Sequence, residues 1–178
     1  MAPIFLVMGT PACGKSTVSR ALASRFKLGL HIPVDHLRHM VVAGLKEPGF
    51  DMTEETFTQF RLARETASYM ARHYAQAGFA VAIDDFWMPQ GPDMGYQSVL
   101  GPATPKILLL PSLEATLQRL YTRNPGEGSF KKYLEQGVRY LFDEIQQHPK
   151  TGWLVVDSSN LTVEQTVDQI LELTQAGP

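Results

Sequence analysis

The chain lacks the cysteines that a disulfide would need, because Cys13 is the only one among its 178 residues. A single thiol excludes any intrachain disulfide and is typical of a reducing compartment. No apolar run approaches the ~18 residues that span a bilayer, and no basic stretch precedes the first apolar one. We therefore expect neither export nor membrane insertion, and we predict a cytoplasmic protein.

The sequence also lacks an excess of basic residues. Its 16 Lys and Arg residues face 18 Asp and Glu residues, which gives a net charge of −2. Because no global positive field is available to hold a phosphodiester backbone, nucleic acid is not expected as a partner, although a local basic groove stays open. The length and the 44% hydrophobic content fit one globular domain over residues 1–178.

What is present is a G-x-x-x-x-G-K-S sequence between an apolar run and a helical pattern. It comprises Gly9, Thr10, Pro11, Ala12, Cys13, Gly14, Lys15, Ser16 and Thr17. In such a phosphate loop the backbone N–H groups cradle phosphates, the lysine reaches the β- and γ-phosphates, and the serine hydroxyl binds Mg²⁺. The alternative is a glycine-rich turn with an incidental lysine. Cys13 is interpreted as small filler or as a low-pKa thiol near a helix start.

Apolar runs alternate with helical patterns along the rest of the chain. The predicted strands are residues 4–8, 30–34, 79–83, 106–110 and 153–156. The predicted helices are residues 15–27, 53–77, 112–122, 130–147 and 163–173, with a further one starting at residue 37. This alternation predicts an α/β fold in which helices wrap a parallel sheet, with ligands at the carboxyl ends of its strands. Residues 89–105 form a Pro/Gly-rich loop that is long enough to suggest function.

Carboxylates come at the ends of predicted strands. Asp84 and Asp85 follow the third strand, where a carboxylate can hold Mg²⁺ directly or through water. We favour Asp84 as the metal ligand and expect Asp85 to orient solvent or face substrate, while the alternative is that Asp84 only caps a turn. Asp35 follows the second strand and is the candidate base for an acceptor hydroxyl, or else the N-cap of the helix at Leu37.

Arginine and aromatic residues complete the predicted site. Arg38 would hold an anionic substrate group, and Arg119 and Arg123 would reach the adenine and the transferring phosphoryl group. The alternative for all three is a solvated surface position. Three aromatic residues and one methionine would line an acceptor pocket or pack onto the core: Phe86, Trp87, Tyr96 and Met88. No histidine has metal-ligand spacing, so no zinc site is expected.

Together these residues resemble the P-loop kinases of the nucleoside-monophosphate-kinase-like group, which includes adenylate, shikimate and gluconate kinases and chloramphenicol phosphotransferase. The sequence Asp35-x-x-Arg38 is similar to the acceptor motif of adenylate kinases and to the aspartate base of chloramphenicol phosphotransferase. The resemblance implies a five-stranded parallel sheet with the phosphate-loop strand central, and the use of ATP and Mg²⁺. It implies acceptor-binding regions at about residues 35–75 and 86–104, and a short lid at about residues 119–132.

The resemblance implies a role for each residue that matches the group. Catalysis falls to Lys15, Asp35 and Arg123, and nucleotide binding to residues 9–17, with Arg119 against the adenine and Ser158 to Leu161 beside the base. Substrate binding falls to Asp35, Arg38, Asp85, Phe86 and Trp87, and metal binding to Ser16 and Asp84.

The leading hypothesis is an ATP-dependent kinase that phosphorylates a hydroxyl of a small-molecule acceptor, such as a metabolite, sugar or antibiotic. A nucleotide or polynucleotide kinase is an alternative, as is a non-catalytic nucleotide-binding module. The identity of the acceptor, the preference between ATP and GTP, and the oligomeric state stay open at this point.

Overall fold

Five strands form the centre of the molecule. The computed structural model describes residues 1–49, 52–87, 95–123 and 129–177, without the side chains of residues 129 and 130. Its strands are β1 (Ile4–Gly9), β2 (Gly29–Pro33), β3 (Ala80–Phe86), β4 (Lys106–Leu109) and β5 (Leu154–Val156). Its helices are α1 (Lys15–Ser24), α2 (Val34–Arg38), α3 (Glu54–Gln76), α4 (Gln97–Leu100), α5 (Leu113–Arg123), α6 (Ser129–Gln147) and α7 (Val163–Thr174).

All strand pairs are parallel, in the order β2-β3-β1-β4-β5. The prediction of a five-stranded parallel sheet with the phosphate-loop strand in its middle is therefore confirmed. A parallel sheet leaves all carboxyl ends at one edge, so the segments after β1, β2 and β3 meet there. In the part of the chain that the structure describes, no helix is both long and apolar enough to span a membrane.

The two faces of the sheet carry separate hydrophobic cores, because successive side chains of a strand point to opposite faces. Leu6 and Met8 pack with α3, whose inner stripe of small residues recurs every fourth position: Ala63, Ala67, Ala71 and Ala75. Phe5 and Val7 face the other way, onto α1 and α7. Both faces of the central strand are thus buried, which explains the uninterrupted apolar sequence of β1.

The first helix is shorter than predicted. It ends at Ser24 rather than at residue 27, and Gly29 is the first residue of β2. A Cβ atom on Gly29 would lie 2.0 Å from the carbonyl oxygen of Ala23. The glycine is therefore needed because the backbone of β2 passes directly against the end of α1.

The segments at the carboxyl edge differ from prediction in two further ways. Helix α2 begins at Val34, so Asp35 lies in its first turn and the predicted N-cap role before Leu37 is wrong. Strand β3 runs through Phe86, which places Asp84 and Asp85 inside the strand rather than after it. Met88, the loop residues 89–94 and the middle of the predicted lid, residues 124–128, lie outside the described residues.

An ion pair inside the protein fixes α3 to β3. The Arg64 Nε donates to the Asp85 Oδ2 over 2.6 Å, and both side chains are fully buried. The same carboxylate oxygen accepts from the Tyr96 hydroxyl at 2.9 Å, while the Oδ1 accepts from the backbone N–H of Phe86. Burial raises the pKa of Asp85, and the Arg64 guanidinium opposes that rise. Asp85 is thereby held on both oxygens by the protein itself.

We expect Arg64→Met to lower the free energy of unfolding by about 3–5 kcal/mol, because it leaves the buried carboxylate of Asp85 without its counter-ion. Urea unfolding followed by circular dichroism measures this change. Arg61→Met is the matched control on the same helix, since Arg61 is half exposed and pairs with Glu65 at the surface. Equal decreases in the free energy of unfolding would show that the buried ion pair contributes no more to stability than the surface pair does.

Candidate active site

The phosphate loop joins β1 to α1 through a backbone that turns sharply. Ala12 has a φ of 62° and Gly14 a φ of 99°, both in the left-handed region. Gly14 is also the N-cap position of α1, and no side chain caps the helix there. The N–H groups of the first turn are consequently left for an anion, at the end of the helix where its dipole is positive.

A cavity of about 420 Å³ opens at this loop. It is lined by residues 12–18, Arg119, Arg123, Ser158, Leu161, Thr162, Val163 and Thr166. The lining thus combines the start of α1, the end of α5 and the segment between β5 and α7. Of these, Thr162, Val163 and Thr166 were not assigned to the site from sequence, because their only visible signal was that of a helix start.

Arg119 ties two of these elements together. Its Nη1 donates to the carbonyl oxygen of Cys13 at 2.9 Å, and its Nη2 donates to the carbonyl oxygen of Ser158 at 2.6 Å. The guanidinium group is therefore anchored beside the phosphate loop rather than solvated. Arg123 lies one helical turn further along α5 and lines the same cavity.

The Asp84 carboxylate connects the loop to β2. Its Oδ1 accepts from the Ser16 hydroxyl at 3.1 Å, and its Oδ2 contacts the Nε2 of His31. Adjacent hydroxyl and carboxylate oxygens are metal ligands of the kind that Mg²⁺ prefers. The pair fits a magnesium site, and Asp84 is the one of the two neighbouring aspartates that faces the loop.

His31 is a residue of this site that sequence reasoning missed. It stands on β2 in register with Ala82, two positions before Asp84, and so shares a face of the sheet with that aspartate. Only the register of β2 against β3 brings the two side chains together. The spacing of residues along the chain does not predict a contact between His31 and Asp84.

The remaining loop side chains are placed by packing. The Nζ of Lys15 lies 3.5 Å from the carbonyl oxygen of Thr10, at the mouth of the loop. Cys13 is buried in the core beneath it. Desolvation raises the pKa of the Cys13 thiol, with Lys15 opposing, so the thiol stays protonated at neutral pH and the interpretation as small filler is the one that fits.

At the end of β2, Asp35 and Arg38 form a second polar group. The Arg38 Nη1 lies 3.7 Å from the Asp35 Oδ1, and the arginine side chain is only 2% exposed whereas that of the aspartate is 54% exposed. Arg38 stacks on the ring of Phe60 at 4.0 Å. The alternative of a solvated Arg38 is therefore wrong. The Asp35 charge adds to the raised pKa of Asp85, as expected for carboxylates at the same edge.

Two residues predicted to bind substrate have interior positions instead. Asp85 is held by Arg64 and Tyr96, as described above, and its side chain has no exposed surface. Trp87 is 1% exposed and its ring centroid lies 5.0 Å from that of Trp153. Tyr96 is equally buried. Of the aromatic residues predicted to line the acceptor pocket, all of them described, Phe86 keeps a partly exposed side chain while Trp87 and Tyr96 do not.

No protein-family model matches the sequence, and no curated protein is similar to it. Solved structures are similar. A sugar kinase from Janibacter sp. HTCC2649 has a TM-score of 0.68 at 16% identity, covering 100% of this chain and 97% of that one. The Deinococcus radiodurans tunicamycin resistance protein has the same score and identity, covering 100% and 99%. Shikimate kinase from Bacteroides thetaiotaomicron has a TM-score of 0.60 at 15% identity, covering 97% and 98%. The chain has the P-loop fold of the nucleoside-monophosphate-kinase-like group.

We expect His31→Ala to raise the Mg²⁺ concentration needed for half-maximal nucleotide binding by about 10-fold, because the Asp84 carboxylate loses the group that orients it. Titration of Mg²⁺ against a fluorescent ATP analogue measures this without requiring turnover. His73→Ala, on the exposed side of α3, is the control. An unchanged Mg²⁺ requirement in His31→Ala would show that Ser16 alone is enough to orient Asp84.

Proposed function

We propose that the protein is an ATP- and Mg²⁺-dependent kinase that transfers the γ-phosphoryl group to a hydroxyl of a small molecule. One observation carries the proposal: an uncapped phosphate loop after β1 and a half-exposed carboxylate, Asp35, after β2 share the carboxyl edge of the sheet. Only β3 separates the two strands. This arrangement supports an in-line reaction between a bound triphosphate and an acceptor beside it.

The residues around the phosphate loop could contact the phosphates, the base and the metal ion of Mg²⁺-bound ATP. The loop N–H groups and Lys15 would hold the phosphates, while Arg119 and Ser158 frame the cavity in which a base would lie. Ser16 and Asp84 would hold Mg²⁺, which neutralises charge on the phosphates when bound. Arg123 lines the same cavity and would stabilise charge on the transferring group.

On the acceptor side, Asp35 would act as the base. Its carboxylate would take the proton of the acceptor hydroxyl as that oxygen bonds to phosphorus and the bond from phosphorus to the leaving ADP oxygen breaks. Asp35 is suited to this because Arg38 holds its position from 3.7 Å, a distance that leaves its lone pairs free for a hydroxyl. Phe86 and Arg38 would form neighbouring parts of the acceptor pocket.

The test of the proposed function is a screen of hydroxyl acceptors for ATP-dependent phosphate transfer, with nucleosides, sugars, aminoglycosides, chloramphenicol-like compounds and oligonucleotides with free hydroxyl ends in the panel. Transfer to a small molecule supports the proposal. Transfer only to nucleic-acid ends would favour a polynucleotide kinase instead. ATP binding with no transfer to any member would favour a nucleotide-binding module, for which Asp35 has no chemical purpose.

We expect Lys15→Ala to abolish ATP-dependent transfer, because the β- and γ-phosphates lose their positive partner. Rates of ADP release in the presence of the best acceptor measure this. Lys27→Ala, an exposed lysine between α1 and β2, should leave the rate unchanged. Near-normal turnover in Lys15→Ala would defeat the assignment of the loop.

We expect Asp35→Asn to keep ATP affinity within a few-fold while lowering the transfer rate by ~10²-fold or more, because the amide cannot take a proton. Single-turnover kinetics and ATP titration separate the two quantities. Asp168→Asn, an exposed aspartate paired with Arg25, is the isosteric control. If ATP binding collapsed in Asp35→Asn, the residue would have a structural rather than a chemical role.

A further inference from the structure

We infer that the acceptor carries no anionic group and is a neutral or amine-bearing hydroxyl compound. The inference rests on the proposed function. It concerns the charge at the acceptor end of the site, which is the region around Asp35 and Arg38. Arg38, which from sequence would hold an anionic substrate group, and the neighbouring Arg64 are already paired with carboxylates of the protein itself.

Arg38 is the first of these arginines. It lies 3.7 Å from Asp35 and 3.6 Å from Glu47, and its Nη2 donates to the carbonyl oxygen of Lys46 at 2.7 Å. Its Nε has no hydrogen-bond partner among the described residues, but that atom is buried. Bidentate capture of a carboxylate or phosphate needs two adjacent N–H groups that face the ligand. Arg38 makes one hydrogen bond, to Lys46, and lies within ion-pair distance of two carboxylates; because only 2% of its side chain is exposed, it has almost no surface to present to an anion.

Arg64 is the second, and it is committed more deeply. It has no exposed surface, its Nε is bonded to Asp85, and its Nη2 donates to the carbonyl oxygen of Phe86. Phe60 lies between the two arginines, with the Arg38 guanidinium 4.0 Å and the Arg64 guanidinium 5.7 Å from its ring centre. The two guanidinium groups are therefore packed into one wall of the site, where carboxylates of the protein neutralise their charges.

The balance of charge around this wall is negative. Three carboxylates, those of Asp35, Glu47 and Asp85, stand against the two guanidinium groups. Three further basic side chains of this region are paired as well: His39 with Glu47, Lys46 with Glu55 and Arg61 with Glu65. The residues outside the described ranges include no Lys, Arg or His, so they add no positive charge.

An anionic acceptor would have to approach the exposed carboxylates of Asp35 and Glu47, while the two arginines of the wall are buried and already paired. Like charges placed together across a binding site cost several kcal/mol. A neutral hydroxyl compound meets no such penalty, and an ammonium group is attracted by the excess carboxylate. The charge of the pocket therefore selects against acids and phosphate esters and in favour of neutral or amino compounds.

The first test compares acceptors that share their hydroxyl groups and differ in charge: glucuronate with its methyl ester and its 2-aminoethyl amide, and the same three derivatives of shikimate. We expect kcat/KM to be at least about 10-fold higher for the neutral or amine-bearing member of each series than for the anionic one. A preference for the anionic member would overturn the inference. Absence of transfer to any acceptor, in this panel or in the wider screen, would instead count against the proposed function, and the second test then decides the inference alone.

The second test needs no turnover and uses inorganic sulfate as the anion. The protein is saturated with Mg²⁺ and a non-hydrolysable ATP analogue, so that the phosphate loop is filled, and its melting temperature is followed against sulfate at constant ionic strength. At low millimolar sulfate, where the general stabilising effect of sulfate on folded proteins is negligible, we expect no sulfate-dependent shift in the wild type. Glu47→Gln, which releases Arg38 from one carboxylate, should gain a shift of about 2–4 °C.

Glu172→Gln is the matched control, because Glu172 is an exposed carboxylate near the end of α7, on the other side of the sheet from Arg38. It should behave as the wild type. A sulfate-dependent shift in the wild type would show that a free cation exists at the acceptor end and would overturn the inference. So would a Glu47→Gln variant whose response to sulfate does not exceed that of the control.

Discussion

The pleat of β3 sends its two neighbouring aspartates to opposite faces of the sheet, and the arrangement of the site depends on this division. Asp84 faces the side of α1, where it meets Ser16 and His31. Asp85 faces the side of α3, where Arg64 and Tyr96 hold it. Because alternation along a strand is fixed by backbone geometry, one carboxylate can serve a cation at the phosphate loop while the other serves only the protein. A shift of register by one residue would exchange the two roles.

Much of the fold was accessible from sequence because local signals and topology agree. The apolar strands, the N-caps at Thr53 and Thr162 and the periodicity of α6 each indicate an element by themselves. Alternation of strands and helices then leaves few topologies besides a parallel sheet. The phosphate loop was predictable for the same reason, since its chemistry lies in a short continuous sequence. The roles of its residues in catalysis stay predictions.

What sequence could not supply are the contacts made across the sheet and between distant helices. The approach of His31 to Asp84 depends on the register of β2 against β3. The burial of Asp85 depends on Arg64, which lies 21 positions earlier on a helix whose exposed face also carries arginine. Trp87 follows a strand and looked like part of a pocket wall, but Trp153 covers it. In each case the partner is far along the chain, so spacing and periodicity contain no trace of it.

Charge is divided along the carboxyl edge of the sheet, and the division explains how one edge could hold two different reactants. Lys15, Arg119 and Arg123 gather at the phosphate loop, where a triphosphate would be drawn. At the acceptor end, Arg38 and Arg64 are paired with carboxylates of the protein. They therefore hold neighbouring side chains in place and contribute little positive potential. Asp35 is the exception within that end: it lies near Arg38 but beyond hydrogen-bond distance, and half of its side chain is exposed. A carboxylate that is held in place and still has free lone pairs can accept a proton, whereas Asp85, with both oxygens bonded, cannot.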